Sequence, residues 1–258
     1  MVSMKETLLT GFEAIDKDFG GLRPKEVTLI GGRPAMGKTT LALQIALNVA
    51  RSGKSVLYIA AEDGPVETSI RLASIISGIP FSKIRTWDLT DDEWDLFRKT
   101  VEEIKRLPIQ FYYTDIMQMI RCRSDDDTKP QADLVIFDYL QMIKSNKTGS
   151  KDVAQNRALR KYLREFKKIA KNHKIPVVVL SQLSRKLERR KDKHPTIKDF
   201  RVKKLSVDLF DQVFLLYRDG YYDLNAPADK AELIGVCPKR NLKKTGTIRW
   251  NSEKRIFE

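Results

Sequence analysis

Short, nearly unbroken apolar runs punctuate this chain, and between them the hydrophobic positions fall at helical spacing. Val27-Thr28-Leu29-Ile30 reads as a buried strand. Residues 40–51, apolar at Leu41, Leu43, Ile45, Leu47 and Val49, read as a helix stopped at Gly53. The alternation continues with a strand over 55–61 and a helix over 65–77. Thr90-Asp91-Asp92-Glu93 is a capping box, opening a helix to about residue 106. A strand over 109–113 follows, then an irregular stretch with Asp125-Asp126-Asp127, then Leu134-Val135-Ile136-Phe137 ending in Asp138. An amphipathic helix is predicted over about 152–172. It is apolar at Leu159, Tyr162, Leu163, Phe166 and Ile169, and basic at Arg160, Arg164, Lys167, Lys168 and Lys171. A strand over 176–180 and late strands near 213–217, 231–236 and 246–250 complete the pattern. Apolar runs alternating with helices predict an α/β fold, a mainly parallel twisted sheet flanked by helices on both faces, with C-terminal β-hairpins. No internal repeat or low-complexity linker breaks it.

Composition narrows the class. At 258 residues, 41% hydrophobic and 32% charged, the chain is long enough for one large core and too apolar for wholesale disorder. No apolar run approaches the roughly 18 residues that span a bilayer, and the N-terminus has no signal-peptide core, so a cytoplasmic protein without a membrane partner is expected. Cys122 and Cys237 lack metal-ligand spacing and suggest no disulfide framework, and two histidines, His173 and His194, make a histidine metal site unattractive. Charge adds more. The net charge is +14, and two segments, 151–174 and 184–204, carry +7 each, so everything else sums to zero. A positive field concentrated in this way suits a polyanion, most simply nucleic acid, although a solvated basic face has the same composition.

The chemistry starts at Gly32-Arg33-Pro34-Ala35-Met36-Gly37-Lys38-Thr39, which fits G-x-x-x-x-G-K-[ST] between a strand and a helix. Backbone N–H groups and the helix dipole converge there on a phosphate. Lys38 would reach the β/γ-phosphates and the Thr39 hydroxyl would hold Mg²⁺, with Thr40 beside them. A chance match in a chain this long is expected on the order of one time in a hundred, before the strand and helix context is counted. A nucleoside triphosphate, ATP or another, with Mg²⁺ is the expected ligand. Asp138, at a strand tip, fits the acid that positions the metal. Glu62, just beyond the 55–61 strand, could activate the attacking water, and its spacing equally fits a helix N-terminal acid ahead of Pro65. Asp63 competes for either task. Gln182 could sense the γ-phosphate or be an ordinary strand-end amide.

Several strings together resemble the C-terminal ATPase domain of DnaB-type replicative helicases. They are Gly32 to Thr40, Ile84-Arg85-Thr86 ahead of Trp94, Asp138-Tyr139-Leu140-Gln141, Leu180-Ser181-Gln182-Leu183-Ser184-Arg185 and Tyr217-Arg218-Asp219. Thr10-Gly11-Phe12, Asp16 and Gly20-Gly21-Leu22 are similar as well. The resemblance covers about residue 9 to the end. It implies a single RecA-like P-loop NTPase domain over 1–258, with 1–22 as an N-terminal linker or arm, working as a ring, usually a hexamer, on single-stranded DNA. It makes Glu62 the catalytic glutamate, Asp138 the Walker B aspartate and Gln182 the sensor. Arg240 becomes the arginine finger that reaches a neighbour's γ-phosphate.

The departures from the family shape the expectation. The family's collar domain has no counterpart in this sequence, which leaves contacts with primase and loader proteins open. The Arg-Glu-Ser-Gly pore loop stands as Arg201-Val202-Lys203-Lys204, and Pro238 occupies a lysine position ahead of Arg240. The stretch 115–130 is short for the family. Lys198, Arg201, Lys203 and Lys204 are the candidate DNA-phosphate contacts, with Lys144 and Lys147 a weaker second set. Phe200 is the sole aromatic in 184–204, so binding should be electrostatic and indifferent to sequence. An NTP-driven translocase is the expectation. Its rivals are a regulatory or assembly ATPase that binds DNA without unwinding, and a nucleic-acid-binding subunit that keeps the fold without catalysis.

Overall fold

The computed structural model describes residues 7–113, 132–138, 140, 151–200, 210–223 and 225–258, with the backbone alone for 151–158. Its elements run α1 (Glu13–Phe19), β1 (Val27–Gly32), α2 (Lys38–Arg51), β2 (Val56–Ala60), α3 (Pro65–Ser77), α4 (Phe81–Thr86), α5 (Asp91–Arg106) and β3 (Ile109–Tyr112). They continue with β4 (Leu134–Asp138), α6 (Lys151–His173), β5 (Val177–Gln182), β6 (Gln212–Tyr217), β7 (Lys230–Cys237), β8 (Leu242–Asn251) and β9 (Ile256–Phe257).

All the strands join one sheet in the order β3-β2-β4-β5-β1-β6-β7-β8-β9. The six from β3 to β6 are parallel, and the last three are added by antiparallel pairing. The runs that read as strands are apolar because both faces are covered. On one face Ile30, Ile136, Val178 and Phe214 pack against α2 residues such as Leu41 and Ile45. On the other Leu29, Phe137 and Val179 meet Leu159, Leu163 and Phe166 of α6, each worth roughly 1.5–3 kcal/mol when fully buried. A satellite cluster around Ala73, Ile79 and Ile84 holds α3 to α5 together. No helix among the described residues is long and apolar enough to cross a membrane.

Two helices were not legible in the pattern. Helix α1 lies within the stretch read as an arm, with Ile15 and Phe19 buried in the main core. Asp16 shapes its approach by accepting hydrogen bonds from Thr10 N (2.8 Å), Thr10 Oγ1 (2.8 Å) and Gly11 N (2.9 Å). Helix α4 packs Ile84 into the satellite cluster. The capping box at Thr90 and Glu93 forms as the sequence indicates.

Candidate functional site

Parallel pairing puts the carboxyl ends of β1, β2, β4, β5 and β6 along one rim, and strand register decides which side chains meet there. Ala60 pairs with Asp138, which sets Glu62 two residues beyond the Asp138 position. Gly32 pairs with Gln182. Open α/β sheets bind ligands outside this rim. Here the rim opens into a cleft of about 620 Å³, whose lining includes Pro34, Ala35, Gly37, Lys38, Thr39, Thr40, Glu62 and Gln182.

The Gly32–Thr40 loop has the backbone such a cradle requires. Gly37 is left-handed (φ 100°), and a Cβ on it would come within 2.7 Å of the Phe257 ring. Only glycine meets both conditions. Helix α2 starts at Lys38 with no side-chain cap, leaving the N–H groups of its first turn for an anion. Of the predicted loop residues, Arg33 and Met36 turn away from the cleft. Met36 is buried in the core, and the Arg33 guanidinium donates to Leu183 O (2.7 Å) and Glu188 Oε1 (2.8 Å).

Three charged groups set the electrostatics. Lys38 is half-buried, its Nζ donating to Arg33 O at 3.1 Å, and burial holds its ammonium below the ordinary lysine value against the pull of Asp138 and Glu62. Asp138 is 4% exposed. Burial raises its carboxyl, and the nearby Thr39 hydroxyl and the Tyr58 hydroxyl, which donates to Oδ2 at 2.9 Å, pull the other way. Asp138 Oδ1 is buried with no hydrogen-bond partner. A solvated cation would satisfy that oxygen, so Asp138 and Thr39 fit Mg²⁺ held largely through water. Glu62 is exposed at the mouth of the cleft, and its carboxyl is raised first by partial desolvation, then by Asp138 and Asp63. Asp63 is committed elsewhere, accepting from Arg71 Nε at 2.8 Å.

Two further predicted residues, Arg240 and Lys198, lie apart from this cleft. Arg240 sits in the tight turn Pro238–Arg240 between β7 and β8, where its guanidinium donates to Phe19 O (3.3 Å) and Cys237 Sγ (3.0 Å). Antiparallel pairing of β7 with β6 carries that turn to the opposite rim of the sheet. Lys198 is exposed on the turn Ile197–Asp199. Arg201, Lys203 and Lys204 lie outside the described residues, as do Lys144, Lys147, Tyr139, Gln141 and the 115–130 stretch.

The cleft also contains residues that sequence reasoning passed over. Arg218 follows β6, donates from Nη2 to Ala35 O (2.6 Å) and lies 4.1 Å over the Trp250 ring. Trp250 in turn packs on Phe257, and Gln44 exchanges two hydrogen bonds with the Phe257 backbone. The C-terminal hairpin therefore buttresses the nucleotide loop. Arg71 also lines the cleft, 5.0 Å over the Phe81 ring. Arg218 already stood in one of the strings carrying the resemblance, but its partner is 183 residues distant, and no local signal joins them.

Comparison with known proteins agrees with this fold. Residues 7–258 match the family described as DnaB-like helicase C terminal domain. Replicative DNA helicase DnaC of Bacillus subtilis is 31% identical over 236 residues, covering 90% of this chain and 52% of that protein. Replicative DNA helicase DnaB of Buchnera aphidicola is 33% identical over 240 residues, covering 90% and 51%. This chain thus spans about half the length of those relatives. A separately solved ATPase domain superimposes with a TM-score of 0.85 at 26% identity, covering 97% of this chain and 90% of that one. A DnaB-like replicative helicase, studied with its primase interactions, gives 0.85 at 26%, covering 97% and 63%.

Proposed function

The chain belongs to the DnaB-like helicase C terminal domain family, and on that premise we propose that it is the motor of an ATP-driven single-stranded DNA translocase. The observation that carries the reading is the convergence of Lys38, Glu62, Asp138 and Gln182 on one rim, around an uncapped helix start and an orphaned carboxylate oxygen. ATP would lie along residues 32–40 with its phosphates on the first turn of α2. Lys38 exchanges the Arg33 carbonyl for β- and γ-phosphate oxygens. Thr39 and Asp138 hold Mg²⁺, which supplies charge neutralisation on the phosphates when bound. Glu62 orients the attacking water and takes its proton; the raised carboxyl makes it a better base than an ordinary glutamate. Gln182 reports on the γ-phosphate from the tip of β5.

Arg240 is assigned to a neighbouring subunit's site, in a ring whose subunits meet head to tail. Lys198, Arg201, Lys203 and Lys204 are the assigned DNA-phosphate contacts. Log K for single strands should then fall against log[salt] with a slope of about −0.7 per neutralised phosphate. Primase is a candidate partner, on the strength of its interactions with one structural neighbour.

Steady-state ATP hydrolysis, with and without single-stranded DNA, tests the proposal. Strong stimulation that is abolished in Lys38→Ala is the expected result. Hydrolysis indifferent to DNA would instead indicate a regulatory ATPase.

A further inference from the structure

We propose that the Arg33–Glu188 ion pair is the strut through which nucleotide on the 32–40 loop and the basic segment 184–200 sense one another. Arg33 and Glu188 are positioning residues in this arrangement, which rests on the motor reading above. Arg33 belongs to the nucleotide loop, yet its side chain leaves the cleft and runs to the basic segment, with only 6% of it exposed. Glu188 Oε1 accepts from Arg33 Nε at 2.8 Å and lies 2.6 Å from Nη2, and Leu183 O accepts from Nη1 at 2.7 Å. The Arg33 carbonyl accepts from Lys38 Nζ. Arg33 is therefore bonded through its backbone to the lysine that must move when phosphates arrive, and through its guanidinium to the segment that leads to the DNA contacts.

The far end of the strut is built to move as a unit. Glu188 lies in the turn Arg185–Arg189, whose preceding residue Ser184 donates its N–H to Asp199 O at 2.7 Å. Buried Asp199 gathers the remainder, its Oδ2 accepting from Thr196 N (2.7 Å), Thr196 Oγ1 (3.0 Å) and Arg190 Nη2 (3.0 Å). Leu183 and Phe200 close the segment as a β-bridge, and a Cβ on Gly31 would meet the Phe200 ring at 3.1 Å. From Phe200 the sequence continues directly into Arg201. Energetic coupling between sites travels through packed and hydrogen-bonded chains of this kind.

Charge gives a second reason. Glu188 is one of three acids among ten bases in 184–204, where an acid opposes phosphate binding. Its value to the segment is the bond to Arg33, so its removal should leave intrinsic DNA affinity unchanged or tighter while breaking communication.

The test uses the full chain, with Glu188→Gln (isosteric, still an acceptor) and Glu188→Ala. ATP hydrolysis is measured with and without oligo-dT, and oligo-dT affinity with and without a non-hydrolysable ATP analogue. We expect hydrolysis without DNA to stay within about twofold of the parent while stimulation by DNA drops about tenfold, inside the range typical of site-to-site coupling. The analogue's effect on DNA affinity should be lost as well, and linkage requires that the effect of oligo-dT on analogue affinity be lost by the same factor as that effect. Variants stimulated like the parent would overturn the strut and leave the motor reading intact. A parallel loss of hydrolysis, melting temperature and stimulation would overturn it as well, reducing the pair to a structural brace. A parent chain that ignores DNA would overturn the motor reading, and the strut with it.

Discussion

At the scale of single residues, two carboxylates at the end of neighbouring strands have been given different surroundings. Asp138 is deeply buried and half-satisfied; Glu62 is exposed, with no hydrogen bond or ion pair to another of the described residues. That freedom suits a base, whereas Asp63 is held by Arg71. Glu62→Gln should keep ATP binding, measured by fluorescence titration, and lose turnover; a variant that turns over normally would pass the role to Asp63. Because Glu62 is raised, it protonates earlier as pH falls, so the acid limb of kcat should lie above the ordinary glutamate value of 4.5. Asp138 is raised too, so the folded state binds its proton more tightly than the unfolded chain. Ionising it therefore opposes folding: stability is lost as pH climbs from the unfolded pKa through the folded one. Asp138→Asn should melt at a higher temperature than the parent near pH 7, with the gap closing below the ordinary aspartate range, while hydrolysis disappears. A lower melting temperature at pH 7 would mean that the Tyr58 bond outweighs the buried charge.

Among elements, legibility in the sequence followed length and burial. The parallel strands could be read because each is mostly apolar, Lys38 because it closes the glycine-spaced motif between β1 and α2, and Glu62, Asp138 and Gln182 because each sits at or just beyond the end of such a strand. Helix α1 has seven residues and α4 six, too few turns for a periodic signal, and both owe their existence to tertiary packing. The glycines of β7 and β8 held the missing information. A Cβ on Gly235 would lie 2.1 Å from the Phe19 ring, and one on Gly246 2.6 Å from Ala14 Cβ, so both strands are cut away where α1 sits. Phe19 then meets Phe214 edge-on at 5.1 Å. Gly235→Ala should displace α1 and destabilise the chain by about 1–3 kcal/mol, read from urea denaturation. Unchanged stability would show that α1 contributes little to the core. Arg218 and Arg71 escaped the sequence for a related reason, since their roles come from contacts that only the folded sheet creates.

For the whole molecule, the decisive fact is where the sheet puts Arg240. The nucleotide loop follows β1 on one rim, and Arg240 turns back at the other, beside Glu26 at the start of β1. Six residues of strand separate the two rims by roughly 20 Å, beyond the reach of an arginine into its own cleft. The Arg240 guanidinium is also held by Phe19 O and Cys237 Sγ rather than free in solvent, as a positioned group would be. If it completes a site, that site belongs to another copy. Arg240→Ala alone and Lys38→Ala alone should each be inactive, since an arginine finger contributes about 10³–10⁵ in rate. Mixed in equal amounts, the two variants should regain activity. A site is then competent when its chain carries Arg240→Ala but keeps Lys38, and its neighbour carries Lys38→Ala but keeps Arg240. For random head-to-tail assembly that describes about a quarter of interfaces. The ATPase rate of the mixture, set against each variant alone, decides the matter. Recovery requires sites shared between chains; a mixture as inactive as its components would leave Arg240 a structural residue of the α1–β7 contact and remove the finger from the mechanism.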